Sequence, residues 1–154
     1  MTQLIEILKK DHERIRLMLD MFEHALRRDD GMPSETWDAL LSRLEAELET
    51  HIKREEILLP FLYSVTKGGL RGYHEERDHA DIRTTIRLLR DLVEEEHALS
   101  LGVIEAYGSH LIDALREHMD EEETLVFPVA EEALGESVLE DIAHLMESGK
   151  GGAR

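Results

Sequence analysis

The chain has 154 residues, no cysteine and a formal net charge of −17, from 35 acidic against 18 basic side chains. That length suits one domain able to bury a core unaided, and the missing cysteines exclude disulfides, thiolate nucleophiles, zinc-thiolate sites and cysteine-held clusters. The acidity argues against nucleic acid or an anionic membrane as partner, since both need clustered Lys and Arg.

In chain order, Ile5, Leu8, Ile15, Leu19, Phe22 and Leu26 recur by three, four or seven, marking one face of a first helix. Asp29-Asp30-Gly31-Met32-Pro33 breaks it, and Ser34 is a candidate N-cap for a second. The second helix carries Trp37, Leu40, Leu44, Leu48, Leu58 and Leu62 and should stop near Gly68-Gly69; Pro60 inside it should kink it or end it early. A third, from about Gly72, shows Ile82, Ile86, Leu89 and Val93, with its end expected between Glu96 and Ser100. The fourth shows Ile104, Tyr107, Leu111, Leu115 and Leu125, and is expected to end near Pro128. A short amphipathic fifth helix, about Ser137 to Met146, should pack across one end, leaving 148–154 as a frayed tail. The expected fold is all-α: an up-down-up-down antiparallel four-helix bundle over residues 1–147. Met1-Thr2-Gln3-Leu4 shows no secretory leader pattern, and no stretch approaches the roughly 20 apolar residues of a membrane span, so a cytoplasmic location is expected.

A duplication underlies this pattern. Asp11-His12-Glu13-Arg14-Ile15-Arg16 returns as Asp78-His79-Ala80-Asp81-Ile82-Arg83, and His51-x-x-x-Glu55-Glu56 returns as His118-x-x-x-Glu122-Glu123, both at an offset of 67. The repeated residues fall on apolar helix faces: His12 between Leu8 and Ile15, His51 and Glu55 before Leu58, Glu75 and His79 before Ile82, His118 and Glu122 between Leu115 and Leu125. Residues four apart on a helix differ by about 40° in direction, so each pair projects to one side.

Burying a carboxylate without a partner costs several kcal/mol, so these groups need compensation. The apolar faces offer no Lys or Arg, which leaves metal ions. Three carboxylates (Glu55, Glu75, Glu122) set about three negative charges against four positive from two divalent ions, a mild excess that suits a bridging hydroxide or oxide. Four imidazoles complete a mixed N/O set that favours iron, manganese or zinc over magnesium or calcium. Carboxylates facing each other across a bundle can bridge two metals, so a dinuclear centre is expected. His24, His97, His110 and His144 lie off these faces, His74 points away from His79, and Tyr107 is expected as core filler.

His12, His51-x-x-x-Glu55 and His118-x-x-x-Glu122 followed by Leu125-Val126-Phe127-Pro128 resemble a hemerythrin-like (HHE cation-binding) domain over about residues 4 to 130. The resemblance implies two non-haem iron ions with a bridging oxo or hydroxo group, which bind dioxygen, peroxide or nitric oxide. It implies His12 and His51 on one iron, His79 and His118 with Glu75 on the other, and Glu55 and Glu122 as bridges, the iron with fewer protein ligands keeping an open position. This chain departs from the family's oxygen carriers twice. Glu75 stands where they have a histidine, and their aspartate five residues after the last ligand histidine is matched by Glu122 at four or Glu123 at five. An added carboxylate favours the ferric state, so redox or sensing chemistry is expected over oxygen transport; a reversible carrier or an iron reservoir or donor is the alternative. A ferritin-like oxidase is disfavoured, because Glu76-x-x-His79 and Glu94-x-x-His97 fall in one helical region.

Overall fold

The computed structural model describes the backbone of residues 2–27, 34–66, 75–94 and 101–152, and side chains over all but the ends of these segments. Four long helices, α1 (Gln3–Leu26), α2 (Ser34–Thr66), α3 (Glu75–Glu94) and α4 (Leu101–Glu121), form an antiparallel bundle in which α1 meets α2 and α4, and α3 meets the same two from the other side. α4 passes into one π-helical turn, Glu122–Val126, then into α5 (Phe127–Ala133) and α6 (Glu136–Gly152). Among the described residues there is no strand, and no helix long and apolar enough to cross a membrane. The expected breaks at 29–33 and 96–100 and the start near Gly72 lie outside the described residues.

The apolar faces read from the sequence are the buried ones, and they divide into two clusters. One joins the C-terminal half of α1 to the N-terminal part of α2, most of α3 and the body of α4, through residues such as Leu19, Phe22, Trp37, Leu44, Ile86, Leu89 and Leu115. Phe22 and Trp37 meet edge to face at 5.5 Å, a favoured aromatic arrangement. Glycine at position 108 lets α4 come close to α1 here, since a Cβ would stand 2.8 Å from Leu26 Cδ1 and 3.1 Å from Phe22 Cε1. The other cluster joins the start of α1 and the end of α2 to α5 and α6 through Leu4, Leu8, Leu62, Phe127 and Ile142. The fifth helix of the sequence reading is α6; it starts at Glu136 and continues to Gly152, into the stretch expected to fray.

Three local expectations are corrected. Of the two effects expected of Pro60, the early end does not occur, since α2 runs through it to Thr66; the residue is exposed, and flanking turns packed by Leu58, Leu59 and Leu62 hold the helix together. Pro60→Ala should restore the missing backbone hydrogen bond and stabilise the fold by about 1–3 kcal/mol, read as a raised thermal midpoint; an unchanged or lowered midpoint would show that the ring is needed there. The chain also remains helical past Pro128. The Phe127 N–H donates to the Glu122 carbonyl, five residues back, and Pro128 sits in the first turn of α5, where no N–H is needed. That wide turn advances the register, so Val126 and Phe127 are buried while Leu125 is only partly so. Finally, Tyr107 is 43% exposed and fills no core; α1 leaves room at this level for Gly108 alone.

Candidate metal centre

Between the two apolar clusters lies a layer of buried polar side chains: His12 from α1, His51 and Glu55 from α2, His79 from α3, His118 from α4 and Glu122 from the π turn. They form two groups whose ligand atoms lie within 4.8 Å of one another, His12–His51–Glu122 and Glu55–His79–His118. The groups are interlocked. Each takes its histidines from two neighbouring helices and its carboxylate from beyond that pair, and the 67-residue offset exchanges one group for the other. The side chain of Glu75 lies outside the described residues, although α3 begins there.

Distances give each carboxylate two faces. Glu122 Oε1 is 3.3 Å from His12 Nε2 and 3.7 Å from His51 Nε2 in its own group, yet 3.2 Å from His118 Nε2 in the other. Glu55 Oε1 is 3.8 Å from His79 Nε2 and 2.5 Å from His51 Nε2. The Nε2 atoms of His12 and His51 are 3.0 Å apart. Two donors about 2.1 Å from one ion and at right angles would stand about 3.0 Å from each other, so the spacing suits a shared cation. The donor chemistry fits as well: buried imidazoles and carboxylates are a mixed N/O set for a transition metal.

The outer nitrogens of three histidines meet carboxylates. His51 Nδ1 lies 3.0 Å from Asp11 Oδ2, His118 Nδ1 3.2 Å from Asp78 Oδ2, and His12 Nδ1 2.8 Å from Glu123 Oε2. An ionised carboxylate only accepts, so Nδ1–H donates in each pair and Nε2 is the nitrogen that faces the centre. This separates Glu122 from Glu123: Glu122 points in among the ligand atoms, while Glu123 supports His12 from behind and pairs with Arg16 at 2.6 Å. A cation does reach this layer from beside the apolar face, which itself carries none. Arg54 is buried beside Asp11, which it contacts through Nη1 together with Arg14. Asp11 and Asp78 were missed as site residues, although each immediately precedes a repeated histidine at the same 67-residue offset. Among the remaining histidines, His24, His110 and His144 are exposed; His74 and His97 lie outside the described residues.

Electrostatics without metal shows the strain on this layer. Burial, then the neighbouring His51, pushes His12 down to about 4 against the pull of Glu123. Burial likewise pushes His79 down to about 4, although Glu55 opposes it. Burial opposes charge on His51 too, but Glu55 and Asp11 outweigh it and raise this group to about 9. Glu55 is held below the usual carboxylate range despite burial, chiefly by His51. At neutral pH the metal-free layer therefore keeps a proton between His51 and Glu55, which a cation on His51 Nε2 must displace. Binding of a divalent cation at pH 7.5 should release about one proton per chain, seen as a dependence of the calorimetric heat on buffer ionisation enthalpy; heats independent of buffer would contradict it.

A family model for the hemerythrin HHE cation binding domain matches residues 1–62 and 73–148. No curated protein and no solved structure gives a significant match.

Proposed function

Because this chain belongs to the hemerythrin HHE cation-binding family, we propose that its buried layer holds two non-haem irons that bind or react with dioxygen, peroxide or nitric oxide. The observation carrying this reading is the pair of interlocked groups, His12–His51–Glu122 and Glu55–His79–His118, with Glu122 within 4 Å of histidines from both. The irons, once bound, would supply electrons and a coordination position for a small oxidant. The protein's part is to orient and to exclude. Its six described candidate ligands are all buried, which keeps bulk water from the donors. Glu55 and Glu122, each placed between groups, would bridge; His12 and His51 would serve one iron, His79 and His118 the other, with Glu75 joining the second.

Redox or sensing chemistry fits better than transport. His12, His51 and His118 donate Nδ1–H to carboxylates, which makes each of these imidazoles a stronger donor. Stronger donors, like an added carboxylate ligand, stabilise the ferric state over the ferrous state that a reversible carrier must regain. The test begins with metal analysis of protein purified under air: about two irons per chain are expected, with the near-ultraviolet charge-transfer absorption of a diferric pair. Stopped-flow mixing of the reduced protein with dioxygen, peroxide and nitric oxide then separates the chemistries. Irreversible oxidation supports the redox reading, whereas a colour that bleaches when oxygen is removed would replace it with carriage. Native zinc, or no metal, would end the iron reading.

A further inference from the structure

Among the described side chains, the two halves of the centre offer the same candidate ligands and differ in what stands behind them. Behind His51, Asp11 is 1% exposed at its side chain and is held by two guanidinium groups, Arg54 and Arg14. Behind His12, Glu123 is held by Arg16 at 2.6 Å. The counterpart of Asp11 in the other half, Asp78, is 30% exposed at its side chain. It lines a cleft of about 350 Å³ between α3 and α4, together with Asp81, Thr85, His110 and Glu121, and this cleft reaches His118. An anchor that must be won from water holds its histidine less firmly than one already fixed among charged groups in the interior.

We propose that Asp11, clamped by Arg54 and Arg14, is a positioning residue that pre-forms the His12–His51 half, so that the first metal ion settles there and the cleft-facing His79–His118 half fills second. The inference rests on the dinuclear reading above. Three features support it together. Asp11 accepts from His51 Nδ1 and so fixes the ring with Nε2 toward the centre. The guanidinium groups of Arg54 and Arg14 fix Asp11 in turn and offset its charge in the interior. The Nε2 atoms of His12 and His51 already stand 3.0 Å apart, the separation expected of two donors to one ion. Order of filling then follows from order: the half with less to arrange binds more tightly.

The test titrates metal-free protein with cobalt(II) under nitrogen, following the visible d–d bands, and compares wild type with Asp11→Asn and Asp78→Asn. Wild type should show two resolved steps. Asp11→Asn should weaken the first by about 10–100-fold, and Asp78→Asn should weaken only the second. Equal weakening of both steps by each variant, or no effect of Asp11→Asn, would overturn the proposal. Since Asp11→Asn disturbs a buried ion pair and can fail to fold, a second measurement uses wild type alone. A crystal given one equivalent of cobalt(II) should show its anomalous peak between His12 and His51; a peak between His79 and His118, or equal peaks in both, would overturn the assignment. Failure of the dinuclear reading looks different: wild type would then bind fewer than two equivalents, whatever their order.

Discussion

Glu122→Ala is expected to empty most of the centre, leaving metal content below about one ion per chain after purification under air, without loss of helical signal. The side chain is fully buried, and its Oε1 lies within 4 Å of His12, His51 and His118. Removing it takes a donor from both halves at once, so the loss should exceed that from any single histidine. The charge argument agrees, because two divalent cations in a dry interior need anionic ligands, and one of the two described carboxylates would be gone. The fold should survive, since the deletion also removes a buried acid that is costly without metal. Metal analysis with circular dichroism checks both parts, and Glu123→Ala is the informative comparison. Glu123 supports His12 from outside the ligand groups, so its loss should weaken binding about 10–100-fold and leave a site that refills when metal is in excess. Should Glu123→Ala empty the centre while Glu122→Ala retains two ions, the bridge has been placed on the wrong residue.

The second large effect falls on stability. Arg54→Leu should lower the stability of metal-free protein by about 3–5 kcal/mol, moving the thermal midpoint by on the order of 10 °C. Arg54 is almost wholly buried, and so is Asp11, which it neutralises. Leucine fills much of the space but leaves the carboxylate with Arg14, a side chain 44% exposed, and with His51. The burial cost is then incompletely offset. The double variant Arg54→Leu/Asp11→Asn tests this cause: removing the charge that was left behind should recover part of the loss, so the two changes should be strongly non-additive. Additive losses would show that Arg54 matters through packing alone.

The bundle was legible because its apolar faces repeat at helical spacing, and Ile15, Leu19, Phe22, Ile82, Ile86 and Leu89 are buried as their periodicity requires. The convergence of His12, His51, Glu55, His79, His118 and Glu122 was legible for a different reason: ionisable residues on apolar faces, in two registered copies, share a destination. What escaped was whatever broke the period. The π turn shifts α4 by a residue after Glu121, so Leu125 turns partly outward and the helix passes Pro128; a pattern that assumes one pitch cannot register such a change. Arg54 escaped because it lies just off the face of His51 and Glu55, and a long side chain reaches where its Cα does not. Asp11 and Asp78 were in view within the repeated motif, but an acid beside a histidine is read as solvent-facing until the far side of the imidazole is known.

The polar layer lies between two apolar masses that share few side chains across it. A protein of this design has a storey whose floor and ceiling are joined chiefly by α1, by α2 and by the run of α4 through the π turn into α5, and by whatever occupies the storey itself. Drawing cations out with a chelator would remove that tie across the gap, and the mass that α5 and α6 form with the start of α1 and the end of α2 would come loose before the other. Heat or denaturant should then melt the chelated protein in two stages and the loaded protein in one, so that occupancy is written into the cooperativity of the whole chain.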